Sequence, residues 1–321
     1  MPFFGAHMSI AGGVHNALLA AEKYECGAVQ LFTASPQMWH VWQPPARPAA
    51  FRSGKLLMKN KNQWLGKPLA KAGAELFHAT HANTRVRQLV AHDSYLINLA
   101  SPDPTLYRRS VEAFVDEMRR AETLRLDFLV FHPGAATDGD EHAGLKRIAK
   151  ALNEAQRRCG RCRVQPLVET TAGQGSCLGH RFEHIAQILD HTKHPERLGV
   201  CLDTCHVFAA GYPLSTETDY QETMATFDRV IGLELLKLFH VNDSKKPLGS
   251  RVDRHAHIGK GHLGLEAFRL LVSDPRFRDH AMILETPKEG PSGEDMDPVN
   301  LATLRGLAAN RPPQVPRPPN R

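Results

Sequence analysis

Short apolar runs alternate with segments of helical periodicity along almost the whole 321-residue chain, and this alternation restricts the fold more than any other feature. Brief apolar runs suit strands that are buried on both faces of a parallel sheet. We predict eight such strands, at residues 3–6, 28–32, 88–91, 128–131, 164–168, 198–202, 235–239 and 281–284. The apolar spacing between them predicts helices, most clearly at residues 16–24, 104–124, 141–157, 182–190, 215–232, 265–272 and 298–308.

Strands that alternate with helices form either a closed (β/α)₈ barrel or an open, doubly wound sheet. An open sheet that binds dinucleotides carries a G-x-G-x-x-G turn after its first strand, and this chain has no such turn there. We therefore predict a (β/α)₈ TIM barrel, formed as a single domain by residues 1–308. Residues 34–58 break the pattern and are interpreted as an insertion after the second strand, whereas the Pro/Arg-rich residues 309–321 are interpreted as a disordered tail.

The composition excludes several classes of protein. A hydrophobic content of 42% indicates a sizeable core, and no apolar run approaches the roughly 18 residues that span a bilayer. Six cysteines in so long a chain do not form a disulfide scaffold, so we expect a cytoplasmic protein. The formal charge of +6 permits a polyanionic partner without requiring one.

Histidine and carboxylate side chains follow six consecutive predicted strands. In a TIM barrel the carboxyl ends of all strands open onto one rim, where active sites lie. Seven candidate residues come at these strand ends and two more lie in the loop after the seventh strand: His92, His132, Glu169, Asp203, His206, His240, Asp253, His255 and Glu285. Such a cluster is costly to bury unless it binds something, and divalent metal is the simplest binder.

Nine donors exceed what a single ion needs, and with a bridging carboxylate they fit two or three ions. Imidazole and carboxylate without thiolate suit Zn²⁺, with Mn²⁺ or Fe²⁺ as alternatives. His7 follows the first strand and is predicted to support the donors from outside the ligand set. Histidines in helical or loop surroundings are expected on the surface instead: His184, His191, His194, His262 and His280.

Longer motifs around these residues resemble the endonuclease IV family of metal-dependent apurinic/apyrimidinic endonucleases over about residues 2–308. The matching stretches are Gly5-Ala-His-Met-Ser-Ile-Ala-Gly-Gly13, Ala91-His-Asp-Ser-Tyr-Leu-Ile-Asn-Leu99, Phe131-His-Pro-Gly134, Glu169-Thr-Thr-Ala-Gly-Gln-Gly-Ser176, Gly199-Val-Cys-Leu-Asp-Thr-Cys-His206, His240-Val-Asn-Asp243, Gly249-Ser-Arg-Val-Asp-Arg-His255 and Ile283-Leu-Glu-Thr286.

The resemblance implies a TIM barrel with three Zn²⁺ ions. Glu169 would bridge two of them, one completed by His92 and His132 and the other by a second set. That second set is Asp203, His240 and Glu285, and the third ion would take His206, Asp253 and His255. The implied reaction hydrolyses the phosphodiester 5′ to an abasic site and leaves a 3′-hydroxyl and a 5′-deoxyribose phosphate. A hydroxide that bridges two ions is the implied nucleophile, oriented by Glu169 as the catalytic residue, and blocked 3′ ends would also be trimmed.

The implied partner is double-stranded DNA that contains abasic sites, bound by a monomer without membrane contact. Tyr95 and Leu96 match family residues that insert into the DNA, where Tyr offers a stacking face and Leu an apolar wedge. Lys59 and Asn62 lie in the matching DNA-binding loop, but about 25 extra residues precede them here. This insertion either adds phosphate contacts, displaces that loop, or reflects how the reading frame was assigned.

Two alternatives differ from a DNA repair nuclease. A sugar isomerase or epimerase of the xylose isomerase type shares the barrel and places the same residue types on the rim. The Asp253-Arg-His255 motif and the pair Tyr95–Leu96 argue against it. The second alternative is a catalytically impaired DNA-binding relative, disabled by the insertion.

Overall fold

The computed structural model describes residues 1–34 and 69–310, and within them eight parallel strands close into a barrel. These strands are β1 (Phe3–His7), β2 (Ala28–Phe32), β3 (Gln88–His92), β4 (Phe128–Phe131), β5 (Gln165–Glu169), β6 (Gly199–Asp203), β7 (Leu236–His240) and β10 (Ala281–Leu284). Their order around the barrel is β1-β10-β7-β6-β5-β4-β3-β2. The predicted (β/α)₈ barrel is therefore confirmed. Lys59, Asn62, most of the predicted insertion and residues 311–321 of the predicted tail lie outside the described residues.

Helices on the outside of the barrel connect the strands. They are α1 (His15–Lys23), α2 (Lys71–His81), α3 (Pro104–Thr123), α4 (Glu141–Cys159), α5 (Phe182–Asp190), α6 (Thr204–Ala210), α7 (Glu217–Val230), α8 (Gly264–Ser273) and α9 (Asp297–Ala308). Polar residues fix where two of them begin. Asp103 accepts hydrogen bonds of 2.7 Å from the backbone N–H groups of Thr105 and Leu106, and Thr216 accepts one of 3.2 Å from Asp219.

Two hydrophobic layers hold the barrel together. The interior is filled by inward-facing side chains of the strands: Ala28, Val90, Val130, Leu167, Cys201, Leu238, Ala281 and Ile283. The larger layer lies between the strands and the helices and contains fully buried aromatic rings such as Phe114, Phe131 and Phe239. Burying one such side chain contributes about 1.5–3 kcal/mol, so this layer fixes the backbone from which the rim residues project.

Strand ends are where the sequence prediction needs correction. His7, His92, Glu169, Asp203 and His240 were expected just after strands, but each is the last residue of its strand. The ladder continues through them, since Asp203 pairs with His240 and Glu169 pairs with Cys201. Their polar side chains do not end the strands because backbone pairing, and not side-chain polarity, decides where a ladder stops.

The short helix α6 was not predicted, and neither were the antiparallel strands β8 (Asp243–Ser244) and β9 (His255–Ala256), which form a two-stranded sheet. They are too short for a periodic signal in the sequence.

The surface position expected for His184 is wrong. Its ring is fully buried in the first turn of α5, where its Nδ1 lies 3.2 Å from the backbone nitrogen of Gly179 and its Nε2 lies 2.9 Å from Nε of Arg181. His280 is half-buried and its Nε2 lies 3.0 Å from the carbonyl oxygen of Leu236, whereas His191, His194 and His262 are exposed.

None of the helices that the structure describes has the length and apolar character needed to cross a membrane.

Candidate metal centre

The nine predicted donors converge on one rim of the barrel. They fall into three groups, and within each group one ligand atom from every residue lies within 4.8 Å of the others. The groups are His92 with His132 and Glu169; Glu169 with Asp203, His240 and Glu285; and His206 with Asp253 and His255. Residues that are far apart in the chain are thus brought together by the parallel strands.

Glu169, at the end of β5, lies where the groups meet and is fully buried. Its Oε2 is 3.0 Å from Nε2 of His92 and 3.2 Å from Nε2 of His132. Its Oε1 is 3.0 Å from Nδ1 of His240 and 3.2 Å from Nδ1 of His206. Each oxygen of this one carboxylate therefore faces two imidazoles, so the carboxylate lies between separate pairs of candidate donors.

Outer hydrogen bonds orient three of the histidines. In each, Nδ1 lies within hydrogen-bonding distance of a backbone carbonyl oxygen; the pairs are His92 with Asp93 (2.9 Å), His206 with Thr170 (2.9 Å) and His255 with Glu285 (3.1 Å). A neutral imidazole carries one hydrogen, so Nε2 of each ring is left as a lone-pair donor. This outer hydrogen bond is the usual support of a metal-binding histidine.

Nε2 of His255 supplies a direct test of whether these residues fit a metal. The atom is buried and makes no hydrogen bond among the described residues. It lies 3.2 Å from Oδ1 of Asp253, whose Oδ2 is in turn 3.2 Å from Nε2 of His206. Because a buried polar atom without a partner is costly, the donor set fits a cation bound between these three side chains.

The charges of the cluster depend on one another. Burial disfavours charge on Glu169, but His240 and the neighbouring imidazoles outweigh it and hold the pKa of this carboxyl well below its usual range. Burial likewise disfavours charge on His92, yet its contact with Glu169 outweighs burial and raises the pKa of His92 to about 10. The buried carboxylates therefore need positive partners, and protons on imidazole compete with metal ions for the same sites.

Asn242 fixes two of the carboxylate residues and was not singled out in the sequence. Its Nδ2 donates a 2.7 Å hydrogen bond to Oδ2 of Asp203, and its Oδ1 accepts one of 2.9 Å from the backbone N–H of Glu285. The other oxygen of Asp203 accepts the backbone N–H of His206 and so caps α6. The signal that could have identified Asn242 is its place two residues after His240, inside the motif His240-Val-Asn-Asp243.

The segment that carries Asp253 and His255 is anchored by Asp243. This buried carboxylate accepts backbone hydrogen bonds from Ser244 (2.7 Å), Gly261 (2.9 Å) and Leu263 (2.9 Å). The bonds from Gly261 and Leu263 hold the end of this segment next to its start, so the third donor group depends on Asp243 although Asp243 is not one of its members.

We expect Asp243→Ala to lower the free energy of unfolding by roughly 3–5 kcal/mol, because three backbone donors lose a charged acceptor at a buried position. Asp243→Asn keeps one acceptor oxygen and should cost less. Chemical denaturation of the two variants and the parent checks this order. Equal stability of the parent and Asp243→Ala would contradict it.

Tyr95 and Leu96 lie exposed beside the donors, with 58% and 43% of their surface accessible. The Tyr95 ring is centred 5.7 Å from the ring of His92 and 6.3 Å from that of His132, and it meets Phe32 edge-on at 5.8 Å. A cavity of about 220 Å³ opens nearby and is lined by His132, His206, Asp253, Cys177 and residues 171–174. The donors are therefore reachable from outside the protein.

His7 lies where a supporting residue was predicted. Its Nδ1 is 3.6 Å from Oε1 of Glu285 and 3.0 Å from Nε2 of Gln30, a buried residue of β2 that the sequence did not single out. The predicted DNA-binding residues Lys59 and Asn62 lie outside the described residues.

Comparison with known proteins agrees with this geometry. A sequence model described as "Xylose isomerase-like TIM barrel" matches residues 18–305. A Chloroflexus aurantiacus protein named "Probable endonuclease 4" is 46% identical over 309 residues, which cover 96% of this chain and 98% of that protein. A Geobacter sulfurreducens protein of the same name is 43% identical and covers 96% and 95%. The chain belongs to the endonuclease IV family.

Solved structures support the same assignment. Endonuclease IV from Thermus thermophilus is 34% identical with a TM-score of 0.78, covering 96% of this chain and 100% of that one. A D-tagatose 3-epimerase-like protein is only 15% identical with a TM-score of 0.65, so this likeness shows the shared fold alone. The resemblance to the endonuclease IV family is confirmed, and the likeness to epimerases follows from the barrel.

Proposed function

We propose that this protein is a metal-dependent DNA repair endonuclease that hydrolyses the phosphodiester 5′ to abasic sites. The products would be a 3′-hydroxyl and a 5′-deoxyribose phosphate, and blocked 3′ ends would be trimmed by the same chemistry. The observation that carries the proposal is the convergence of three donor groups around the buried Glu169, with Tyr95 and Leu96 exposed beside them.

Three Zn²⁺ ions are the proposed cofactors, with Mn²⁺ or Fe²⁺ as possible substitutes. Each of the three donor groups would hold one ion, and Glu169 would be shared between two. Bound there, these ions would supply the positive charge that polarises a phosphodiester and activates water for attack. The chain's own part is to fix the donors on strand ends and, through the Glu169 carboxylate, to orient the attacking water.

Recognition of the lesion needs side chains other than the metal donors, because an abasic sugar has no base to contact. Such a nucleotide leaves the stack at low cost, and its departure leaves a gap in the duplex. Tyr95 and Leu96 are proposed to fill that gap, since an aromatic face stacks on bases and an apolar wedge separates them. Because both side chains are exposed next to His92 and His132, their insertion would place the abasic sugar close to the donor groups.

The test is cleavage of a duplex with one abasic site, labelled separately at each end of the damaged strand. We expect one cut 5′ to the lesion, a 3′-hydroxyl that a polymerase extends, and no cut in the undamaged duplex. A 3′-unsaturated aldehyde would indicate elimination instead of hydrolysis and would contradict the proposal. A primer with a 3′-phosphoglycolate end tests the trimming activity in the same assay.

Two other outcomes would support the two alternatives to a DNA repair endonuclease. A chain that carries metal, leaves abasic DNA uncut and epimerises ketohexoses would be a sugar epimerase. A chain that binds the lesion without cutting it, and cuts after deletion of residues 34–58, would be a relative disabled by its insertion. Cleavage by the intact chain excludes the second outcome.

Tyr95→Ala should weaken binding of abasic duplex about 10-fold or more, because stacking on a base contributes about 1–3 kcal/mol. The rate of cleavage in the bound complex should change less, since Tyr95 is not one of the donors. Binding is measured by fluorescence anisotropy and cleavage by single-turnover kinetics. Leu19→Ala, which truncates an exposed side chain on α1, is the matched control and should change neither. A larger loss of rate than of affinity would contradict the assignment.

A further inference from the structure

We infer that Gln30 is a positioning residue that fixes the tautomer of His240 and so makes Nδ1, not Nε2, the metal-binding atom of this one histidine. The inference rests on the metal site of the proposed function. No sequence motif marks Gln30, which lies in the middle of strand β2 and whose amide contacts residues from distant parts of the chain.

Gln30 is fully buried and its side-chain amide reaches three strands at once. Its Oε1 lies 2.7 Å from Nε2 of His240, at the end of β7. Its Nε2 lies 2.6 Å from Oε1 of Glu285, just after β10, and 3.0 Å from Nδ1 of His7, at the end of β1. Every polar atom of the amide is therefore used inside the rim.

Glu285 determines which way this amide points. An ionised carboxylate only accepts hydrogen bonds, so an oxygen 2.6 Å from it would repel it, and the –NH₂ group must face Glu285. The carbonyl oxygen of Gln30 then faces His240 and can only accept. The hydrogen of the neutral His240 ring is consequently on Nε2.

With its hydrogen on Nε2, His240 presents a lone pair at Nδ1. That atom lies 3.0 Å from Oε1 of Glu169 and 3.3 Å from Oε2 of Glu285, among the donors of the second group. His92, His206 and His255 show the opposite arrangement, because in them Nδ1 faces a carbonyl oxygen. A backbone carbonyl orients those three rings, whereas a side-chain amide orients His240.

The second hydrogen of the Gln30 amide has a consequence for His7. Because Nε2 of Gln30 donates to Nδ1 of His7, that nitrogen is the acceptor and the hydrogen of the neutral His7 ring is on Nε2. The ring is held on its other side by Phe32, with ring centroids 4.4 Å apart. Gln30 thus connects His7 to the metal site and accounts for the supporting role predicted for this histidine.

A glutamine suits this position because it both donates and accepts without charge. Glutamate could accept from His240 but would place a second carboxylate against Glu285. Methionine has nearly the same shape but can neither donate nor accept strongly, so His240 would lose the partner that sets its tautomer. Loss of such an outer partner typically lowers metal affinity about 10- to 100-fold.

The first experiment needs no variant. Zn²⁺-loaded protein with ¹⁵N-labelled histidine is examined by long-range ¹H–¹⁵N correlation spectra, which distinguish protonated, free and metal-bound ring nitrogens. We expect His240 to show a protonated Nε2 and a metal-bound Nδ1, opposite to His92, His206 and His255. A metal-bound Nε2 in His240 would overturn the inference.

The second experiment compares Gln30→Met with Gln165→Met, a matched glutamine of a barrel strand whose Nε2 donates to the carbonyl oxygen of Leu198. Metal retained per chain is measured by mass spectrometry after dialysis against graded chelator. We expect Gln30→Met to lose one ion at about 10-fold lower chelator concentration than the parent, and Gln165→Met to match the parent. Thermal unfolding of both variants separates a loss of affinity from a general loss of stability.

The outcomes distinguish the inference from the proposed function. If the parent holds metal and Gln30→Met holds it equally well, the inference is wrong and the proposed function is unaffected. If the parent holds no metal under any loading condition, the proposed metal site fails and the inference fails with it. Equal metal loss in Gln30→Met and Gln165→Met would show a general effect of altered packing and would also overturn the inference.

Discussion

Replacing Glu169 with glutamine should lower the rate of abasic-site cleavage by about 10³-fold or more, equivalent to on the order of 4 kcal/mol of transition-state stabilisation. The carboxylate oxygens face four imidazoles, and an amide keeps the shape while removing the charge shared between two donor groups. Whichever way the amide is oriented, its –NH₂ group would also point at a ring nitrogen that must remain free to bind metal. The loss should appear in single-turnover kinetics and in the metal retained per chain.

Glu112→Gln is the matched control for this variant. Glu112 is exposed on α3 and pairs with Arg158, and exposed ion pairs contribute at most about 1 kcal/mol. We expect its rate and metal content to equal those of the parent. If Glu169→Gln cleaves within about tenfold of the parent, Glu169 is neither a shared ligand nor a group that orients water.

Complete removal of metal should reduce cleavage to the uncatalysed background, and adding Zn²⁺ should restore it. Five of the nine donors are buried carboxylates and imidazoles, and a bound cation would stabilise them, so the metal-free chain should also unfold at a lower temperature. Metal loss should become easier as the pH falls, because imidazoles must be neutral to bind metal and protonation competes with it. Mass spectrometry, cleavage assays and thermal unfolding at several pH values measure these three effects.

Mg²⁺ is the control cation, because it prefers oxygen donors and should not replace an ion bound through histidine. Restoration by Mg²⁺ alone would point to a different site. Full cleavage by a chain shown to be free of metal would remove the basis of the proposed mechanism.

Much of the fold could be predicted because its signals are local. Apolar runs and helical spacing marked all eight barrel strands and most of the helices between them. The errors lie where local pattern carries no information. A ladder that runs through Glu169 or Asp203 is decided by the neighbouring strand, and α6 and the β8–β9 pair are too short to show periodicity.

The residues of the candidate site were also predictable only in part from the sequence. Its nine donors could be named from the sequence because parallel strands of a barrel deliver their ends to one rim, so position along each strand predicts position in space. Their partners could not be named. Gln30 lies in an apolar run, and Asn242 and Asp243 belong to the motif that begins at His240, but each acquires its role from contacts with distant parts of the chain.

The sequence by itself determined the barrel and the family and predicted the residues that meet at the rim, because repeated short patterns and long motifs occur along the chain. Only the tertiary structure decided which nitrogen of His206, His240 and His255 faces the donor groups, since that choice depends on a carbonyl oxygen or an amide from a distant part of the chain. Hydrogen bonds between residues far apart in the chain leave no periodic trace, and for that reason the orientation of the donors is a property of the folded protein.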